Sequence, residues 1–227
     1  EALHYVIGSS NTAVGYQSGF AITTGTNNIS VGSNAGLSVT TGSYNICIGN
    51  SAGQALTTQS QSVYVGHVAG TNVTSGGVES VAVGYAAMGL GVTTGDSNTC
   101  VGAFSGYDLT GGRQNTLIGQ RVGENITTGL RNTGVGAGVL DATTTGGYNS
   151  SIGMDSLTAN TTGGSNSAVG YNALGANTTA SNNTAVGANT LSVNTTGQKN
   201  TAIGIGAGGG VTTGSNNTFL GVEAGIT

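Results

Sequence analysis

Side chains able to do chemistry are scarce in this chain. Its 227 residues include two histidines (His4 and His67), two cysteines (Cys47 and Cys100) and eight carboxylates. A zinc site needs three or four Cys, His or carboxylate ligands at short spacing, and neither histidine belongs to such a set. The carboxylates Asp96, Asp108, Asp141 and Asp155 stand at unrelated places in the repeat described below, so they build no calcium cage. Glycan cleavage takes two carboxylates across a cleft, and Glu79 and Glu124 are two to three repeats apart. No Ser-His-Asp arrangement is suggested, and His67 reads as a tolerated polar residue in a strand region. Gly204-Ile205-Gly206-Ala207-Gly208-Gly209 has the form of a dinucleotide loop, but the repeat simply continues after it where a helix is required. The expectation is a protein without catalysis, metal or cofactor.

The elements that would position any site are set by a repeat. An aliphatic-Gly pair recurs with Gly at 15, 32, 49, 66, 84, 102, 119, 136, 153, 170, 187, 204 and 221, ten of the twelve intervals being 17 residues and two being 18. Asn stands four places before this anchor Gly at Asn11, Asn28, Asn45, Asn98, Asn115, Asn132, Asn149, Asn166, Asn183, Asn200 and Asn217, with Ser62 and Ser80 as exceptions. Thr follows eight places after the anchor, from Thr23 to Thr212, with one inserted residue before Thr93. Columns of identical residues mean stacking. With one turn per unit, equivalent residues lie ~4.8 Å apart and the Asn amides bond to those above and below. The fold class expected is all-β, a parallel β-solenoid of about thirteen 17-residue coils, running from 11 to 227 after a lead-in half-coil over 1–10.

A compensating pair of columns points to one core slot per coil. Coils with Gly four places after the anchor carry an aliphatic at seven: Ile22, Val39, Leu56, Val73, Leu109, Ile126 and Val211. Four others place Leu140, Leu157, Leu174 and Leu191 at the earlier site, with Thr143, Asn160, Asn177 and Asn194 at the later one. Side-chain volume is thereby conserved. The coil holding both Met88 and Val92 also carries an inserted residue and is expected to bulge.

Composition narrows the partners. Gly is 44 of 227 residues, charged residues are 5%, and there is no Pro or Trp. A net charge of −4 with four basic residues does not match a phosphate backbone, and no apolar run reaches the ~18 residues of a membrane span, so neither nucleic acid nor membrane insertion is expected. Strand alternation places the residue before each anchor Gly inward and the one two before it outward. The outward column then runs from Ala13 through Ser30, Cys47, Tyr64, Ala82 and Cys100 to Phe219, small at ten of thirteen positions and uncharged. Such a stripe suits contact with a parallel copy of the chain. Cys47 and Cys100 lie in it three coils apart, about 14 Å on the strand spacing, too far to pair within one chain. Candidate receptor contacts are the exposed aromatics Phe20 and Tyr107 and the basic residues Arg113, Arg121 and Arg131.

The unit Asn11-Thr12-Ala13-Val14-Gly15, repeated as Asn183-Thr184-Ala185-Val186-Gly187 and Asn200-Thr201-Ala202-Ile203-Gly204, resembles the heads of YadA-like trimeric autotransporter adhesins. It is also similar to repeats of bacteriophage tail-fibre proteins, where Thr-Thr-Gly alternates with it. The likeness covers Asn11 to Gly225. It implies a left-handed β-roll, three chains side by side as a homotrimer, and an adhesive role outside the cell, on a virion or cell surface, toward a host glycan or protein receptor. The 17-residue period exceeds that of the adhesin heads, and the spacer fits the virion-fibre variant better. A chain that begins at Glu1 without Met and stops inside a coil is expected to be cut from a longer fibre protein. Two further readings are an ice-binding monomer, on the Thr column starting at Thr23, and a segment of an extracellular filament.

Overall fold

The structure is a computed structural model that describes residues 2–4, 6–74 and 76–226. Two compact units, Glu1–Gln114 and Asn115–Thr227, make up the chain. The first contains β1 (Thr12–Val14), β2 (Ile29–Val31), β3 (Ile46–Ile48), β4 (Val63–Val65), β5 (Val81–Val83) and β6 (Thr99–Val101). The second contains β7 (Thr116–Ile118), β8 (Thr133–Val135), β9 (Ser150–Ile152), β10 (Ser167–Val169), β11 (Thr184–Val186), β12 (Thr201–Ile203) and β13 (Thr218–Leu220). Within each unit every strand pairs in parallel with the next, column on column, as in Ile46↔Val63 and Val186↔Ile203. Each unit is thus a β-solenoid with one strand per coil at the expected spacing.

The turns follow from the residues that close them. Each anchor Gly has φ near +130, and its missing side chain faces the next coil: a Cβ on Gly187 would meet the Gly204 carbonyl oxygen at 2.6 Å. Left-handed backbone recurs at fixed places elsewhere, as at Asn182 (φ 64), Asn189 (φ 55) and Leu191 (φ 48) in one coil. Asn visits this region readily, whereas Leu does so at a cost.

The Asn column forms the expected ladder and does more. Asn149 takes a hydrogen bond on Oδ1 from the Asn166 backbone N–H at 3.0 Å and from the Asn166 amide at 3.2 Å. Its own amide donates to the Asn132 Oδ1 at 3.1 Å and to the Gly163 carbonyl at 3.0 Å. A second buried ladder stands beside it, in which Asn177 donates to Asn160 at 2.8 Å and Asn194 to Asn177 at 3.3 Å. The Gly163, Ala180 and Gly197 carbonyls each accept from both ladders. Hydroxyls of the Thr column also work between coils, Thr144 donating to the Thr161 carbonyl at 3.3 Å and Thr161 to that of Thr178 at 3.1 Å.

The single core slot is present: Ile22, Val39, Leu56, Leu109 and Ile126 fill it from one side, and Leu140, Leu157, Leu174 and Leu191 from the other, all buried. In the irregular coil Met88 is buried and Val92 is 56% exposed. Thr93 there lies in the core and bridges Val73, while Thr94 donates its hydroxyl to the Thr110 carbonyl. Thr94, and not Thr93, is therefore the member of the Thr column.

The polarity of the strands is opposite to the expected one. The middle residue of each strand points inward: Ser30, Cys47, Tyr64, Ala82, Cys100, Leu117, Ser151, Ala168, Ala185 and Ala202 are all buried. The residue before the anchor points out, as at Val14 (59% exposed), Ile152 (46%) and Leu220 (76%). The small column is small because a coil of 17 residues has a narrow interior. Where it holds a large residue its neighbours shrink. Tyr64 lies between Cys47 and Ala82 and donates to the Gly77 carbonyl at 3.1 Å, and a Cβ on Gly70 would collide with its ring. Ser62 and Ser80 replace Asn beside this tyrosine, and Ser62 makes its own bond to Gly77 at 2.8 Å.

Candidate functional site

Reversal of the strands changes which surface is available. Each three-residue strand turns two side chains outward, and the residue after the anchor Gly adds a third. In the first unit these include Ile29, Ile46, Val63 and Val81 beside Val31, Ile48, Val65 and Val83. In the second the columns read Thr116, Thr133, Ser150, Ser167, Thr184, Thr201, Thr218 and Ile118, Val135, Ile152, Val169, Val186, Ile203, Leu220. The third column adds Tyr16, Tyr85, Met154, Tyr171, Ile205 and Val222, each 48% exposed or more. None of the chain's four basic and eight acidic residues occupies any of these three columns in any coil. A solvated sheet face ordinarily carries Lys, Glu or mixed polar residues. Its two strand columns carry aliphatic methyls and hydroxyls, and its third mixes aromatic, amide and apolar side chains, His67 among them.

Of the proposed contacts, Phe20, Tyr107 and Arg113 lie in the first unit and Arg121 and Arg131 in the second. In the first unit Phe20 stacks on His4 with centroids 5.1 Å apart and planes within 10°. Tyr107 occupies the same corner five coils later, about 24 Å along the stack, and packs edge-to-face on Phe104 at 5.4 Å. Arg113 is exposed. In the second unit Arg121 pairs with Glu124, Nε to Oε2 at 2.7 Å. Arg131 donates to the Tyr148 hydroxyl at 3.1 Å and lies 5.5 Å from the centroid of its ring.

Sequence spacing missed a row of aromatics around Tyr107. His67 meets Tyr85 at 5.6 Å, Tyr85 meets Phe104 at 5.1 Å, and Phe104 meets Tyr107, so four rings follow one another over three coils. The available signal was aromatic residues one, two and five places after successive anchors, columns that a left-handed turn at Phe104 (φ 58) brings together. His67 lies in the turn after β4 and is exposed, rather than in a strand. Asp108, beside Tyr107 in the chain, has its carboxyl raised above the usual range by burial.

The cysteines are corrected along with the strands. Cys47 and Cys100 face inward, and burial pushes each thiol up to about 12. They cannot meet a cysteine of another chain. The segment Gly204 to Gly209 is turn backbone, with Gly206 and Gly208 at φ 67 and 66. Among the described residues no three His, Cys, Asp or Glu side chains are grouped as metal ligands, no helix is long and apolar enough to cross a membrane, and no cavity opens. No family model, curated protein or solved structure matches the chain.

Proposed function

We propose that the chain is a structural, adhesive segment of an extracellular fibre, of the virion tail-fibre or cell-surface adhesin kind. In this reading three parallel copies pack side by side as a left-handed β-roll homotrimer, and the segment spaces or presents a surface that meets a host glycan or protein. The observation that carries it is the pair of charge-free strand columns on this face; the third column, with His67 and Tyr85, stands in the turn after each strand and stays open in this reading. In the second unit alone that face spans seven strands, about 29 Å for six gaps of ~4.8 Å, with Ile152, Val169, Val186 and Ile203 each 37–46% exposed. Apolar patches of this regularity mark interaction sites. Strands in identical register offer a parallel copy the same column at every level.

The small inward column no longer supports association; the aliphatic outward one replaces it. Light scattering on the purified chain tests the reading. The expected particle has three times the chain mass of 21.9 kDa, and a folded monomer at all concentrations overturns it.

A second reading has its own support. Hydroxyls at Thr116, Thr133, Thr184 and Thr201 make no side-chain hydrogen bond among the described residues and stand beside Ile118, Val135, Val186 and Ile203. A regular hydroxyl and methyl array suits ordered water, and this face would bind ice on a monomer. The Thr column starting at Thr23 does not suit it, because those hydroxyls are engaged by the next coil. Ice-growth inhibition by a folded monomer would favour this reading over the fibre.

A further inference from the structure

Departures from the repeat concentrate in one part of the first unit. Both 18-residue intervals lie between Gly66 and Gly102, and the Asn ladder gives way to Ser62 and Ser80 just there. Met88 replaces a corner glycine at φ 50, and the extra residues expose Leu90 (55%) and Val92 (56%). Tyr64 accounts for the two serines, since its ring needs the space. Nothing in the core calls for His67, Tyr85, Phe104 and Tyr107: the first two are exposed, and Phe104 and Tyr107 are half-buried, Tyr107 rather than exposed as expected, each on the outer side of its turn. Local rules are broken without packing gain where a site is built.

The geometry points to this aromatic ridge as a binding site for an extended, neutral polysaccharide. Rings set edge-to-face at 5.1–5.6 Å support one another without covering both faces of each, and Tyr85 stays 52% exposed. Aromatic faces pack against the C–H groups of pyranose rings, while the Tyr85 and Tyr107 hydroxyls and the His67 nitrogens offer hydrogen bonds to sugar hydroxyls. Charge selects among glycans. The described charged residues of this unit are Glu79, Asp96, Asp108 and Arg113, three carboxylates to one guanidinium. Asp108 adjoins the ridge in sequence and disfavours uronate, sialate or sulfate groups. With no cavity to enclose a small sugar, affinity must come from several weak contacts repeated along a polymer.

This inference rests on the adhesive part of the fibre reading and not on the number of chains. The test uses the full chain and a fixed set of probes: chitohexaose, maltohexaose and mannohexaose as neutral chains, and a hyaluronan hexasaccharide as the acidic one. Binding is followed by tyrosine ring signals in NMR titration. The expected result is saturable binding of at least one neutral hexasaccharide, weakened tenfold or more by Tyr85→Ala and by Phe104→Ala. Tyr44→Ala, at an exposed tyrosine of the same unit outside the three columns and with no ring partner among the described residues, leaves it unchanged. Far-UV circular dichroism checks that each variant is folded. Failure of all three neutral probes, equal binding of hyaluronan, or insensitivity to Tyr85→Ala overturns the inference. Solution mass is read on the same samples. A three-chain particle that takes up no hexasaccharide overturns the ridge and leaves the fibre assembly standing, and a monomer that binds one does the reverse.

Discussion

Adjacent residues of β11 give a sharp test of strand polarity. Ala185 is fully buried and in register with Ala168 below and Ala202 above, while Val186 is 37% exposed. Ala185→Asp places a carboxylate in the narrow interior, where its neighbours across both pairings are methyl groups. The desolvation of such a charge costs several kcal/mol, on the order of 3–5 when no partner compensates. The group would take up a proton to escape part of that cost, so the variant should recover stability as pH falls toward 4. Val186→Asp puts the same carboxylate on the outward face. It forfeits part of one aliphatic contact and should cost about 1 kcal/mol or less in the folding of a single chain. Urea unfolding followed by far-UV circular dichroism measures both, and the midpoints should separate by at least ~2 kcal/mol at neutral pH. Comparable losses, or a larger loss at Val186, would refute the assignment of inside and outside. Solution mass supplies the second readout: Val186→Asp should dissociate any assembly while leaving circular dichroism unchanged.

Three other substitutions or conditions test individual interactions. Asn132→Ala removes the donor to the Gly146 carbonyl and the acceptor for Asn149, whereas in Asn183→Ala the Gly197 carbonyl keeps Asn194 as a donor. Thermal or urea unfolding should therefore show the first more destabilising by about 1–2 kcal/mol, the cost of one extra orphaned carbonyl. Gly187→Ala forces a Cβ to 2.6 Å from the Gly204 oxygen and should lower the unfolding midpoint far more than Gly221→Ala, which meets nothing within 4 Å at a similar φ. Burial raises the Cys47 and Cys100 thiols to about 12 from a reference of 9.0. The unfolded chain then loses those protons first as pH rises above 9. Stability should be unaffected by them below that point and fall above it by roughly 1 kcal/mol per pH unit for each thiol. A Cys47→Ala, Cys100→Ala chain should show a shallower alkaline slope in the same unfolding assay.

Much of the architecture was legible because stacking forces a column to obey one constraint at every level. A Cβ at the anchor strikes the next coil, hence the uninterrupted Gly; an amide between two coils needs an amide above it, hence the Asn. The exchange of Leu140 with Ile126 as slot filler was readable for the same reason, since volume has to balance within each coil. Inside and outside were not readable from alternation. In a strand of three residues a period of two fixes which side chains share a face but not which face is buried, and a slip of one reverses everything. Small residues at Ala168 and Ala185 looked like a place for another chain because they fit a close approach; the close approach is across the coil's own interior. The aromatic ridge escaped notice because its members belong to three columns, joined only by the curvature of the turn at Phe104. The Thr93 assignment failed where two length changes in neighbouring segments partly cancel.

The twin amide ladders also bear on how the second unit responds to load. Each bond between coils there belongs to a series, so a pull along the stack is shared until it reaches the weakest seam. Asn194 marks one end of the double ladder: the next coil offers Val211 at the matching place, and the Asn194 Oδ1 atom has no hydrogen-bond partner. One amide column crosses this boundary, as it does those from Asn115 to Asn149, where two cross the boundaries from Asn160 to Asn194. Mechanical failure would begin at a singly laddered boundary on either side and leave the doubly laddered coils between them intact.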